Sequence, residues 1–215
     1  MASPRLPLAD DLFLTAHDSV RNRSLLSPTT LGIGLGTALI AELFFWGNVE
    51  LQNGILSIVD RRPPNNAAAA AVFDQMLRDP DHPKARDWIA FLARGVAADL
   101  VERRLSRAGL VERQERRGLL GKRVTFVPRD STTAGWPGAR IVAAAQRGEL
   151  LDVADLILAG LILATGLDQH VLATLEPRHR ENLFEQLRRR LPAMGRELVG
   201  HAEAAVGDAV MTGRA

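Results

Sequence analysis

The chain has 215 residues, a net charge of +2 and no cysteine. Its 47% hydrophobic content is enough to bury a substantial core in one large domain or two small ones. The missing cysteine excludes disulfides, thiol catalysis and cysteine-ligated metal. The pI of 9.8 overstates the basicity: nearly all the cations are arginines, and the lysines are Lys84 and Lys122.

In chain order, Leu6 to His17 begins as a short helix with Leu8, Leu12 and Phe13 at helical spacing. Asp10 and Asp11 fall in its first turn, where the helix dipole favours them. Met1-Ala-Ser-Pro-Arg5 ahead of it has no apolar signal core. Ser27-Pro28 then reads as a helix start, a serine cap followed by proline at the first helical position. The stretch from Leu31 to Trp46 is apolar on every face except at Glu42, the pattern of a helix buried in a bundle or a membrane. The longest apolar runs, 38–46 and 156–167, fall short of the ~20 residues needed to span a bilayer. A buried central helix is therefore expected, stopped by Gly47. Asn53-Gly54 between the runs 49–52 and 55–58 predicts a β-hairpin.

Beyond a break at Asp60–Asn66, helices are predicted over 67–77, 84–93 and 96–107. The last carries Ala97, Leu100, Val101 and Leu105 on one face and Glu102, Arg103, Arg104 and Arg107 on the other. Leu110-Val111, a polar turn and Arg123–Val127 predict a second, projecting hairpin with Gly118–Gly121 near its tip. Residues 128–138 read as a loop because of Pro128, Gly135, Pro137 and Gly138. Helices over 139–147, 150–165, 168–175 and 177–191, and another from Pro192, complete a mainly α chain. The expected architecture is a helical bundle around a buried central helix with small β-hairpins. We expect a single domain over 1–200 and a fraying small-residue tail over 201–215.

Chemistry is sparse. Gly32-Ile-Gly-Leu-Gly36 lies inside a helix with no strand before it, so it reads as close helix packing and not as a dinucleotide fingerprint. His17, His82, His170, His179 and His201 show no metal-ligand spacing, and no nucleophile motif occurs. The expectation is a non-enzymatic protein with no cofactor and no metal. Glu42, the one charge in a buried helix, must be paired or hydrogen-bonded.

The basic region offers two readings. Arg103, Arg104, Arg107, Arg113, Arg116, Arg117, Lys122 and Arg123, on a helix followed by a hairpin, have the outline of a nucleic-acid-binding winged helix. The same cluster suits acidic lipid headgroups, with Leu119 and Leu120 entering the interface. Glu102, Glu112 and Glu115 dilute the charge, and a merely solvated basic face accounts for the cluster at least as well as a winged helix.

The order of these pieces resembles the Golgi phosphoprotein 3 family. The opening Leu6-Pro-Leu-Ala-Asp-Asp-Leu-Phe-Leu14 is similar to that family's first helix. Ala38-Leu-Ile-Ala-Glu-Leu-Phe-Phe-Trp-Gly-Asn-Val-Glu-Leu51 is similar to its central motif, and Trp88–Leu92, Leu105–Arg113 and Ala154–Leu172 follow collinearly. The resemblance implies a peripheral protein that binds phosphatidylinositol 4-phosphate and the cytosolic tails of membrane proteins, with a hairpin serving membrane contact and self-association. The basic face supplies Arg103, Arg104 and Arg107, and Arg94 lies next to the family's arginine positions, so these four are the expected lipid- or phosphate-binding residues. The basic hairpin residues Arg116, Arg117, Leu119, Leu120, Lys122 and Arg123 are the expected membrane-contacting hairpin. The family's headgroup tryptophan and arginines fall near Ser27, Gly36, Gly95 and Ala98, where no such side chain exists. Glycine and alanine cannot replace a guanidinium on phosphate, which argues against specific phosphatidylinositol 4-phosphate recognition. The expected role is a cytoplasmic adaptor peripheral to anionic membrane, ahead of the nucleic-acid reading.

Overall fold

The computed structural model describes residues 5–18, 21, 23–118 and 121–213, without the side chains of 116–118 and 121–124. Helix α1, Leu8–Thr15, is buried along its whole length, including Asp10 and Asp11. A minimal ribbon follows, β1 (His17–Asp18) paired with β2 (Arg23–Ser24). Ser27 then caps α2, Pro28–Phe45, by accepting from the Thr30 amide at 3.1 Å.

Helix α2 is the axis of the fold, buried from Thr30 to Leu43. By length and hydropathy it could cross a membrane, but 78% of it is buried inside the bundle, as the all-round apolar pattern predicts. Its glycines explain how closely the neighbours approach. A Cβ on Gly32 would lie 2.5 Å from the Ala93 carbonyl oxygen, and one on Gly36 would lie 2.8 Å from Leu92 Cβ. The helix ends in a Schellman motif: the Gly47 amide bonds the Phe44 carbonyl at 2.8 Å and the Asn48 amide bonds that of Leu43 at 2.9 Å.

The hairpin of β3 (Val49–Gln52) and β4 (Ile55–Ile58) closes through Asn53 and Gly54, both at positive φ, as Asn-Gly turns do. Asn66 caps α3, Ala67–Arg78. Helix α4, Ala85–Phe91, runs through one π turn, Leu92–Val96, into α5, Ala97–Arg107. The gap expected between these two helices is present: the backbone leaves helical geometry at Arg94 and at Gly95, which has φ +101°. It is this turn that lies against Gly32 and Gly36 of α2.

Strands β5, Val111–Gly118, and β6, Gly121–Pro128, form the second hairpin, longer than the sequence suggested. It joins the body at its root, where Val111 and Val127 are buried. Helix α6 spans Ser131–Arg147, so the loop expected over 128–138 is corrected to helix from residue 131. Asp130 caps it through the Thr133 amide at 2.7 Å. Pro137 and Gly138 sit buried inside it, Gly138 because a Cβ would meet Val171 at 3.1 Å.

The remaining helices are α7 (Val153–Ala164), α8 (Asp168–Val171), α9 (Pro177–Arg190) and α10 (Ala193–Met211). Helix α10 packs on α2, α4 and α7. The boundary expected at residue 200 falls inside it: Ala202 and Ala209 are buried, so the helix continues as part of the body to Met211.

Candidate functional site: a basic helix and hairpin

Helix α5 buries Ala97, Val101 and Leu105 and presents Arg103 and Arg107, four residues apart, to solvent. Arg103 Nη2 reaches Asp99 at 3.5 Å, an exposed pair of small energetic consequence. Arg107 has no acidic partner among the described residues. Arg94 lies on the π turn at the other end of α5. It lines a separate cavity of about 390 Å³ with Gln75, Asp79, His82, Asp87, Trp88 and Phe91. Arg94 therefore does not share a surface stripe with Arg103 and Arg107.

Arg104, expected among the lipid-binding residues, lies inside the bundle instead. It turns inward, where its Nε donates to Asp10 at 2.9 Å and its Nη atoms donate to both oxygens of Glu42 at 2.8 and 3.0 Å. Nη1 also donates to Asn66 Oδ1 at 2.7 Å. Glu42 Oε1 accepts from the Ala9 amide at 2.9 Å, so one buried carboxylate joins α1, α2, α3 and α5. The partner Glu42 requires is thus Arg104. Burial pushes the Asp10 carboxyl up to about 7, against the pull of Arg104 and helped by Glu42 and Asp11.

A second internal cluster uses Arg140, which donates to Asp11 and Asp155, each at 2.7 Å. Arg5 pairs with Asp155 at 2.6 Å and with Asp152. Asp10 and Asp11, read in the sequence as dipole partners of α1, are anchors for arginines from distant helices. No local signal marks this, because Arg140 lies 129 residues from Asp11.

The hairpin brings its cations together in register: Arg116 stands opposite Arg123, and Arg117 opposite Lys122. Their side chains lie outside the described residues, as do Leu119 and Leu120. Lower on the strand, Arg113 pairs with Glu115 at 3.0 Å.

Ser27, Gly36 and Gly95, where the resemblance leads one to expect headgroup-binding side chains, serve the fold. Ser27 caps α2, Gly36 is pressed on Leu92, and Gly95 lies in the π turn. Helices α4 and α5 are separated by a break at Arg94 and Gly95, where the backbone leaves helical φ/ψ. Among the described residues, no three His, Asp or Glu side chains converge as a metal site would require.

A family model for Golgi phosphoprotein 3 (GPP34) matches residues 8–212, nearly the whole described chain. No curated protein matches the sequence significantly.

Proposed function

The chain belongs to the Golgi phosphoprotein 3 family, and from that premise we propose that it is a non-enzymatic peripheral adaptor that attaches to anionic membrane surfaces through the β5–β6 hairpin and the exposed arginines of α5. The observation that carries this reading is the hairpin register, with Arg116 opposite Arg123 and Arg117 opposite Lys122. Like charges directly opposed destabilise a hairpin. An anionic surface relieves that repulsion, at about 1 kcal/mol for each cation brought near it. Leu119 and Leu120 would add a shallow apolar anchor, the second signal that stable attachment needs.

The lipid class is anionic headgroups in general. Ser27, Gly36, Gly95 and Ala98 supply no guanidinium for a specific phosphate, and Gly36 has no room for one. Cytosolic tails of membrane proteins as cargo, and self-association through the hairpin, belong to the same reading and rest on family membership.

Flotation on phosphatidylcholine vesicles with rising phosphatidylserine tests it. Recovery should climb with anionic content and fall with added salt. An added phosphatidylinositol 4-phosphate arm should give no gain beyond its charge. Equal recovery on neutral and anionic vesicles removes the electrostatic mechanism. Retardation of duplex DNA at low salt, with no vesicle binding, would favour the nucleic-acid reading instead.

A further inference from the structure

The two ends of the bundle differ. Helices α2 and α5 run parallel, since Gly32 and Gly36 meet the π turn ahead of α5, whereas Glu42 meets Arg104 near its end. The C-terminus of α2, the last turn of α5 and the root of the hairpin therefore lie at one pole.

At that pole α2 leaves two adjacent aromatic rings exposed, Phe45 at 43% and Trp46 at 48%. Both border a cavity of about 400 Å³, so neither ring is packed on that side. Val59, 57% exposed, lies beside Asn48 just beyond them: its amide bonds the Asn48 carbonyl at 2.8 Å. Asn48 is itself buried and holds the following loop, its Nδ2 donating to the carbonyls of Asp60 at 3.1 Å and Arg62 at 2.6 Å. Arg61 lies between these two tethered residues and is exposed. The nearby acids are neutralised, Asp60 by Arg62 and Asp152 by Arg5, which leaves Arg61 and Arg107 as the pole's cations without acidic partners among the described residues.

We infer that this pole is a second membrane-contacting surface, with Phe45 and Trp46 entering the headgroup region of an anionic bilayer and Arg61 and Arg107 meeting its charge. Adjacent exposed aromatic rings beside an open cavity mark a contact surface. Tryptophan suits a bilayer interface because its ring is apolar and its N–H remains wet. Charge complementarity selects the anionic bilayer as occupant. The inference rests on the proposed membrane attachment and adds an anchor outside α5 and the hairpin, which would fix how the bundle stands on the surface.

The test is fluorescence quenching by brominated phosphatidylcholine in vesicles with and without phosphatidylserine, with flotation run in parallel. Trp136→Phe leaves Trp46 as the exposed reporter, because Trp88 is buried. We expect quenching with anionic vesicles, no quenching in the Trp46→Phe/Trp136→Phe pair, and roughly tenfold weaker partitioning for Phe45→Ser/Trp46→Ser. Protein that floats with Trp46 unquenched overturns this inference and leaves the attachment through hairpin and α5 standing. Protein that floats on no vesicle composition overturns both.

Discussion

Arg104 and Glu42 meet side-on, Nη1 at 2.8 Å from Oε2 and Nη2 at 3.0 Å from Oε1, in a site where the two side chains are 13% and 4% exposed. The fork also reaches Asp10 and Asn66, so removing it strands two carboxylates at once. Arg104→Ala should cost about 3–5 kcal/mol in urea unfolding. Arg104→Lys should recover little, since an ammonium cannot bridge the same oxygens. A loss under about 1 kcal/mol would mean the buried pair is incidental. Vesicle binding by the folded variant should match that of the parent, because this arginine faces inward.

Helix packing at the π turn depends on missing side chains. Gly32→Ala should gain up to about 1 kcal/mol in helix propensity. It should lose more than that, about 1–3 kcal/mol, because the new Cβ would sit 2.5 Å from a backbone oxygen. A net stabilisation in thermal melts would show that the π turn moves aside freely. Gly36→Arg places a cation where the resemblance leads one to expect it. It should destabilise the fold against Leu92 without creating phosphoinositide binding.

Stability should fall as pH rises toward neutrality. Burial, with Asp99 adding repulsion, lifts the Glu102 carboxyl from 4.5 to about 7. Its folded pKa lies above its unfolded one, so its stabilising contribution is complete below about 4.5 and is lost as pH rises through about 7. Glu102→Gln should therefore be neutral near pH 4 and stabilising at pH 8 by about 1–2 kcal/mol, after allowing for solvent at this half-buried group. Asp10 titrates with the same sign, so some slope should persist in the variant. An unchanged pH profile for the variant would disprove the assignment.

The exposed stripe of α5 should act in binding and not in folding. Arg103→Ala/Arg107→Ala should keep its melting temperature within the range of ordinary surface changes. Its recovery on anionic vesicles should drop by about tenfold or more, at roughly 1 kcal/mol per lost cation. Undiminished binding would confine attachment to the hairpin and the aromatic pole.

The sequence by itself determined the elements whose causes are local. Ser27-Pro28 opens the central helix, Gly47 ends it and Asn53-Gly54 turns the first hairpin, because caps and positive-φ turns are properties of a few consecutive residues. The apolar run of α2 likewise implied burial, and its glycines implied close packing. The tertiary structure alone decided which arginine of α5 serves the interior. Arg104 borders the face of Val101 and Leu105, but its direction is set by Glu42, 62 residues away, and Asp10, 94 residues away. The helix through Pro137 and Gly138 was hidden for the same kind of reason: local propensity argued for a loop, and burial of Ala134, Pro137 and Ile141 overrode it. The exposed pair Phe45 and Trp46, and the buried pair Asp10 and Asp11, look ordinary in sequence. Only the packing of distant helices leaves the rings outside and draws the charges in.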